Sequence, residues 1–137
     1  MTSRRDARRT AIDILFQADV TGAEPSEVMT DWIGLGKPVP EFASQVIEGV
    51  AANLAEIDRL LEASAQDWTV ARMAVLDRTI LRVATYELLH RPDVPHAAAI
   101  SEAVETAAEL SSDESRSFVN GILGKLAREL SAGQAGG

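Results

Sequence analysis

Apolar residues recur at steps of three and four along nearly the whole chain, and few windows alternate with a period of two. Steps of three and four put apolar side chains on one face of an α-helix, whereas a half-buried strand needs alternation. The segments that interrupt this rhythm carry Gly, Pro or Ser and are only a few residues long. Short connections favour antiparallel neighbours in a compact bundle. The chain is therefore expected to be all-α, a compact bundle of six or seven helices.

Ser3 is a good N-cap, and Ala7, Ala11, Ile14, Leu15 and Ala18 form the apolar stripe of a first helix that Gly22 closes. Pro25 and Ser26 open a short second helix, broken by Gly34-Leu35-Gly36-Lys37-Pro38. From Phe42 through Val46, Gly49, Val50, Asn53, Leu54, Ile57 and Leu61 the spacing predicts one long third helix. Gly49 falls within that stripe, where glycine costs about 1 kcal/mol against alanine, so a neighbouring helix is expected to cross closely over it. A short turn with Thr69 as cap follows, then a largely buried helix from about Ala74 to His90, stopped by Pro92. Pro95 begins the next, with Ile100, Ala103, Val104, Ala107 and Ala108 inward. Ser111 to Glu114 separates it from a last helix whose Phe118, Ile122, Leu123, Leu126 and Leu130 face the core. One domain over 1–132 is expected, in two packed helical subdomains of about 1–65 and 66–132 that meet near Ala65–Thr69, with a flexible tail at 133–137.

With 137 residues the chain can bury enough surface for one core without staples. It has no cysteine and two histidines, His90 and His96, both beside a turn, which leaves little scope for a metal site or for nucleophilic catalysis. There is no glycine-rich phosphate loop, no Gly-x-Ser-x-Gly and no His-Glu-x-x-His. No enzyme activity and no cofactor are expected. No stretch approaches the roughly 20 apolar residues of a membrane span, and Asp13 and Asp19 interrupt what would follow the basic start of a signal peptide. A cytoplasmic protein without membrane contact is expected. Glu102, Glu105 and Glu109 read as a solvated helix face, and Asp113 and Glu114 as favourable charge at a helix N-terminus.

Charge is distributed unevenly. Arg4, Arg5, Arg8 and Arg9 against Asp6 give the first nine residues +3, on a chain of net charge −8, so the remainder carries −11. A basic cluster on an acidic body suits a polyanion that docks at one end, with RNA first among candidates. Arg5, Arg9, Ile12 and Phe16 lie on one helix face, with Arg4 and Arg8 in an adjacent row. Guanidinium groups for phosphates and a ring for base stacking are what a single-strand RNA surface needs. The same residues also fit a solubilising helix end with Phe16 in the core.

Three further features stand out. Asn120-Gly121 normally marks a turn, yet it lies inside an amphipathic run and costs about 1 to 2 kcal/mol there by propensity. Close packing at Gly121, or a task for the Asn120 side chain such as holding a carbonyl or reading a base, would offset that cost. Arg82 and Glu87 sit among strongly apolar neighbours and are expected to form ion pairs. Asp77 and Arg78 are expected on the outside, available to a protein partner.

Taken together these blocks resemble the NusB family of bacterial transcription antitermination factors. The resemblance rests on the arginine-rich start running into Ala11-Ile12-Asp13-Ile14-Leu15-Phe16-Gln17, on Trp68 with Asp77-Arg78-Thr79-Ile80-Leu81-Arg82 and Tyr86-Glu87-Leu88, on Asp93-Val94-Pro95, on Ile100 to Glu105, and on Phe118-Val119-Asn120-Gly121-Ile122-Leu123. It implies an RNA-binding protein that takes the single-stranded boxA element of nascent rRNA leaders together with a small-subunit ribosomal protein acting as NusE, and that loads onto RNA polymerase to suppress termination. Carried over to this sequence, it places Arg4, Arg5, Arg8, Arg9 and Phe16 on RNA from the first helix, with Glu114, Arg116, Ser117, Phe118, Asn120 and Lys125 on the second side of a groove. It places Asp77 and Arg78 against the ribosomal protein. Phe16 stands where the family often has tyrosine. Some members also form homodimers that cover the RNA surface. The same helical domain precedes some rRNA cytosine-5 methyltransferases, so a detached domain of that kind is an alternative, and a scaffold binding only protein is another.

Overall fold

The computed structural model describes residues 3–135. Seven α-helices and one 3₁₀ turn occur among the described residues: α1 (Arg4–Thr21), α2 (Pro25–Gly34), α3 (Glu41–Ala52), α4 (Leu54–Ala65), the turn Val70–Arg72, α5 (Val75–His90), α6 (His96–Leu110) and α7 (Asp113–Ala135). The Ser3 hydroxyl accepts the Asp6 amide at the start of α1, and Gly22 ends the helix at φ +77, a left-handed conformation that favours glycine. At the start of α7 the Ser112 hydroxyl accepts the Ser115 amide at 3.1 Å.

The expected long third helix is two helices. At Asn53 the backbone turns to φ −117 and ψ 20, and the Asn53 side-chain amide donates to the Gly49 carbonyl at 2.7 Å. Asparagine competes locally with regular helix hydrogen bonding in this way. The apolar stripe continues across the break, with Val46, Ile47, Val50, Ile57 and Leu61 all buried, which is why spacing alone reads straight through it. At the other end, α7 continues to Ala135 and takes in part of the expected tail, since alanine is the strongest helix former. Residues 136 and 137 of that tail lie outside the described residues.

Helix α5 packs against α1, α3, α4, α6 and α7, and so forms the centre of the bundle. Its Ile80, Leu81, Val83 and Ala84 are buried. Gly49 of α3 meets Tyr86 of α5 so closely that a Cβ at Gly49 would overlap the Tyr86 ring. This is the close crossing expected from a glycine inside the stripe. Central placement of α5 also explains its charged residues. Arg82 donates through Nε and Nη2 to both Asp58 oxygens at 2.9 Å and through Nη1 to Asp19 at 3.3 Å, as its apolar surroundings predicted.

Candidate nucleic-acid interface

The four arginines of α1 have different surroundings. Arg8 turns inward, and its guanidinium donates through Nε and Nη2 to the Glu87 carboxylate at 2.8 to 3.0 Å. The two side chains are 11% and 1% exposed. Arg8 is thus the expected ion-pair partner of Glu87, and the reading of Arg8 as a phosphate contact is corrected. A buried carboxylate requires a bidentate cation, and Arg8 satisfies that need.

Arg4 stays at the surface, its side chain 49% exposed, and pairs there. Its Nη2 meets Asp93 at 2.7 Å, and its guanidinium lies 4.7 Å from the centre of the Phe42 ring. Arg8 and Arg91 approach the same ring at 5.3 and 5.0 Å. Arg91 in turn grips both Asp93 oxygens at 3.0 Å. Hydrogen bonds from Arg91, and then from Arg4, hold the Asp93 carboxyl well below the usual carboxylate range. No sequence signal marked Phe42 as part of a cluster with Arg91 and Asp93, because Phe42 lies on α3 and the other two lie in the connection between α5 and α6.

Arg5 and Arg9 remain at the surface, laid over α6. Arg5 donates through Nε and Nη2 to Glu102 at 3.1 and 3.0 Å, and through Nη2 to Glu105 at 3.2 Å. Arg9 Nη1 reaches Glu109 at 3.3 Å. The pairs ascend together along both chains, so α1 and α6 run in the same direction. Phe16 lies seven residues beyond Arg9, about 10 Å at 1.5 Å per residue, toward the end of α6 where α7 begins. Its ring is 37% exposed. A ring presented in this way can stack on a base.

Helix α7 spreads its expected contacts over two faces. Glu114, Phe118 and Lys125 share one side by helical spacing, and Arg116 and Asn120 share another. Phe118 packs edge-on against Trp68 at 6.0 Å between ring centres. With Glu114, Trp68, Arg72 and Asp77 it lines a cleft of about 520 Å³ that includes none of the α1 arginines. That cleft does not join the two sides of the expected groove; α6, whose glutamates receive Arg5 and Arg9, packs along α7. Arg116, Ser117 and Asn120 are exposed. Among the described residues no side-chain hydrogen bond is made by Glu114, Arg116, Ser117, Asn120 or Lys125. Among the described residues, apart from the chain neighbours and backbone of α7 itself, no atom lies within 4 Å of where a Cβ at Gly121 would sit, so close packing does not account for Asn120-Gly121.

Asp77 and Arg78 are not on the outside as expected. Asp77 is 8% exposed and is among the residues that line the Trp68–Phe118 cleft; its Oδ1 is buried without a hydrogen-bond partner among the described residues. Arg78 donates through Nε and Nη2 to Asp19 at 2.7 Å and through Nη1 to the Val70 carbonyl at 3.3 Å. The first turn of α5 directs both inward because the helix is covered on several sides.

The sequence profile of the NusB family matches residues 5–128. The chain belongs to the NusB family. It is 49% identical over 124 residues to the transcription antitermination protein NusB of Acidothermus cellulolyticus, covering 90% of this chain and 86% of that one. The solved NusB of T. maritima superposes with a TM-score of 0.85 at 34% identity, covering 93% of this chain and 92% of that one. The fold is also that of a chain in the crystal structure of the antitermination factors NusB and NusE in complex with dsRNA, at a TM-score of 0.82 and 22% identity, with 92% of this chain and 96% of that one covered. Among the described residues no helix is long and apolar enough to cross a membrane.

Proposed function

We propose that this NusB-family protein is a cytoplasmic, non-enzymatic antitermination factor that binds a boxA-type single-stranded RNA jointly with the ribosomal protein acting as NusE. The assembly then acts on RNA polymerase to suppress termination. The structural neighbour in complex with NusE and dsRNA supports NusE as partner and RNA as ligand, without its strandedness, and the named antitermination relative supports the process. The observation that carries the RNA site is the outer face of α7. Asn120-Gly121 is retained inside a helix against propensity, with no packing over Gly121 and no intramolecular bond from Asn120 among the described residues. A ligand outside the chain accounts for both.

Arg5 and Arg9 supply phosphate contacts, Phe16 a stacking face, and Arg116, Ser117 and Asn120 polar contacts on α7. Asp77, with a free buried carboxylate oxygen in its cleft, receives a basic group of the ribosomal protein, whereas Arg78 is committed to Asp19. A net charge of −8 weakens RNA binding by the isolated protein, so the basic partner contributes much of the attraction.

Fluorescence anisotropy with a short rRNA-leader oligonucleotide, with and without the ribosomal protein, tests the reading. Tight binding is expected with the partner, exceeding that of a scrambled oligonucleotide. Equal binding of both oligonucleotides, or none with the partner present, overturns it. Partner binding without RNA binding would make the protein a scaffold.

A further inference from the structure

Glu102, Glu105 and Glu109 stand at steps of three and four on α6, in register with Arg5 and Arg9 on α1. Each pair has at least one well-exposed member: the Arg5, Glu105 and Glu109 side chains are 67%, 61% and 68% exposed, with Glu102 at 23% and Arg9 at 36% partly covered. Exposed pairs of this kind add little to stability, unlike the enclosed Arg8–Glu87 pair. Yet they bind two of the three guanidinium groups of α1 that reach the surface, the third being Arg4 on Asp93. Arg5 meets Glu102 with the fork geometry that a guanidinium also offers to phosphate.

We infer that the glutamate ladder of α6 is a built-in stand-in for the RNA backbone. It holds the α1 arginines in the free protein and has to be released before phosphates take its place. The inference rests on the proposed RNA contact at Arg5 and Arg9. RNA binding at α1 is then an exchange of carboxylate for phosphate. After the exchange Glu102, Glu105 and Glu109 lie unpaired beside a polyanion and repel it. The ladder thus lowers affinity for RNA in general and favours strands that gain further contacts at Phe16 and α7.

The test compares RNA affinity of the full chain, by anisotropy with the same rRNA-leader oligonucleotide, across four proteins at several salt concentrations. They are the natural sequence, E102Q/E105Q/E109Q, R5A/R9A, and all five changes together. A control, E24Q/E27Q/D31Q, removes three exposed acids from the region of α2. The ladder variant is expected to bind about tenfold tighter at low salt, with the gain shrinking as salt screens the charges. The α2 control should change affinity much less, and the gain should vanish when Arg5 and Arg9 are also removed. Unchanged affinity of the ladder variant, while R5A/R9A still loses binding, overturns the inference and leaves the RNA reading standing. Equal gains from the ladder and α2 variants overturn it as well, by assigning the effect to net charge. If R5A/R9A binds RNA as the natural protein does, the RNA reading of α1 fails and the inference falls with it.

Discussion

Arg8 and Glu87 lie 79 positions apart in sequence, and the Arg8 Nε and Nη2 donate to both oxygens of the Glu87 carboxylate. The pair ties α1 to the central helix α5 from inside. Removing Arg8 leaves a carboxylate that is 1% exposed without its cation. Arg8→Ala is expected to cost about 3 to 5 kcal/mol and to lower the Tm by about 10 °C or more. R5A/R9A, which touches only surface pairs, should melt within about 2 °C of the natural protein. Thermal unfolding followed by circular dichroism separates the two; a melt of Arg8→Ala unchanged from the natural protein would contradict the structural role.

Phe16 presents its ring to solvent beyond the arginine row. Phe16→Ala is expected to weaken RNA binding by about 1 to 3 kcal/mol through lost stacking, with little change in melting temperature. A collapse of stability with unaltered RNA affinity would place the ring in the core instead.

Gly49 and Tyr86 mark a close crossing of α3 and α5. Gly49→Ala is expected to destabilise by about 1 to 3 kcal/mol, because the added methyl displaces a buried ring. Combining it with Tyr86→Leu should recover part of the loss, since the ring is the obstacle. Denaturant titration measures both; a Gly49→Ala protein as stable as the natural one would show that the helices separate without cost.

Asp77→Asn keeps the shape of a side chain whose Oδ1 has no hydrogen-bond partner among the described residues. The melting temperature is expected to stay level or to rise, since a buried charge is removed. Affinity for the ribosomal protein should fall about tenfold, as expected for one lost charge-assisted hydrogen bond. Calorimetry of heterodimer formation checks this, and an unchanged Kd would remove Asp77 from the interface.

Much of the fold was legible because most helices carry their own apolar stripe and their own stop. Ser3, Gly22 and Pro92 act on the residues beside them, and their effect is local. The break at Asn53 was not legible, because the stripe of α3 passes into α4 and only the side-chain bond to the Gly49 carbonyl marks the boundary. Roles within the arginine cluster were out of reach for a geometric reason. Arg5 and Arg8 are about 60° apart around the helix, and that rotation decides between solvent and Glu87. The carboxylates that sort them lie 79 to 100 positions away, where no spacing rule extends. Asp77 was misplaced to the outside because its own helix does not reveal how many neighbours cover α5.

The central claim is that Arg5 and Arg9 grip an RNA backbone, and the salt dependence of RNA affinity tests it most directly. Each phosphate contact on single-stranded RNA contributes about 0.7 to the slope of log K against log salt. R5A/R9A is therefore predicted to flatten the slope of the natural protein by about 1.4. Parallel lines for the two proteins would contradict the account.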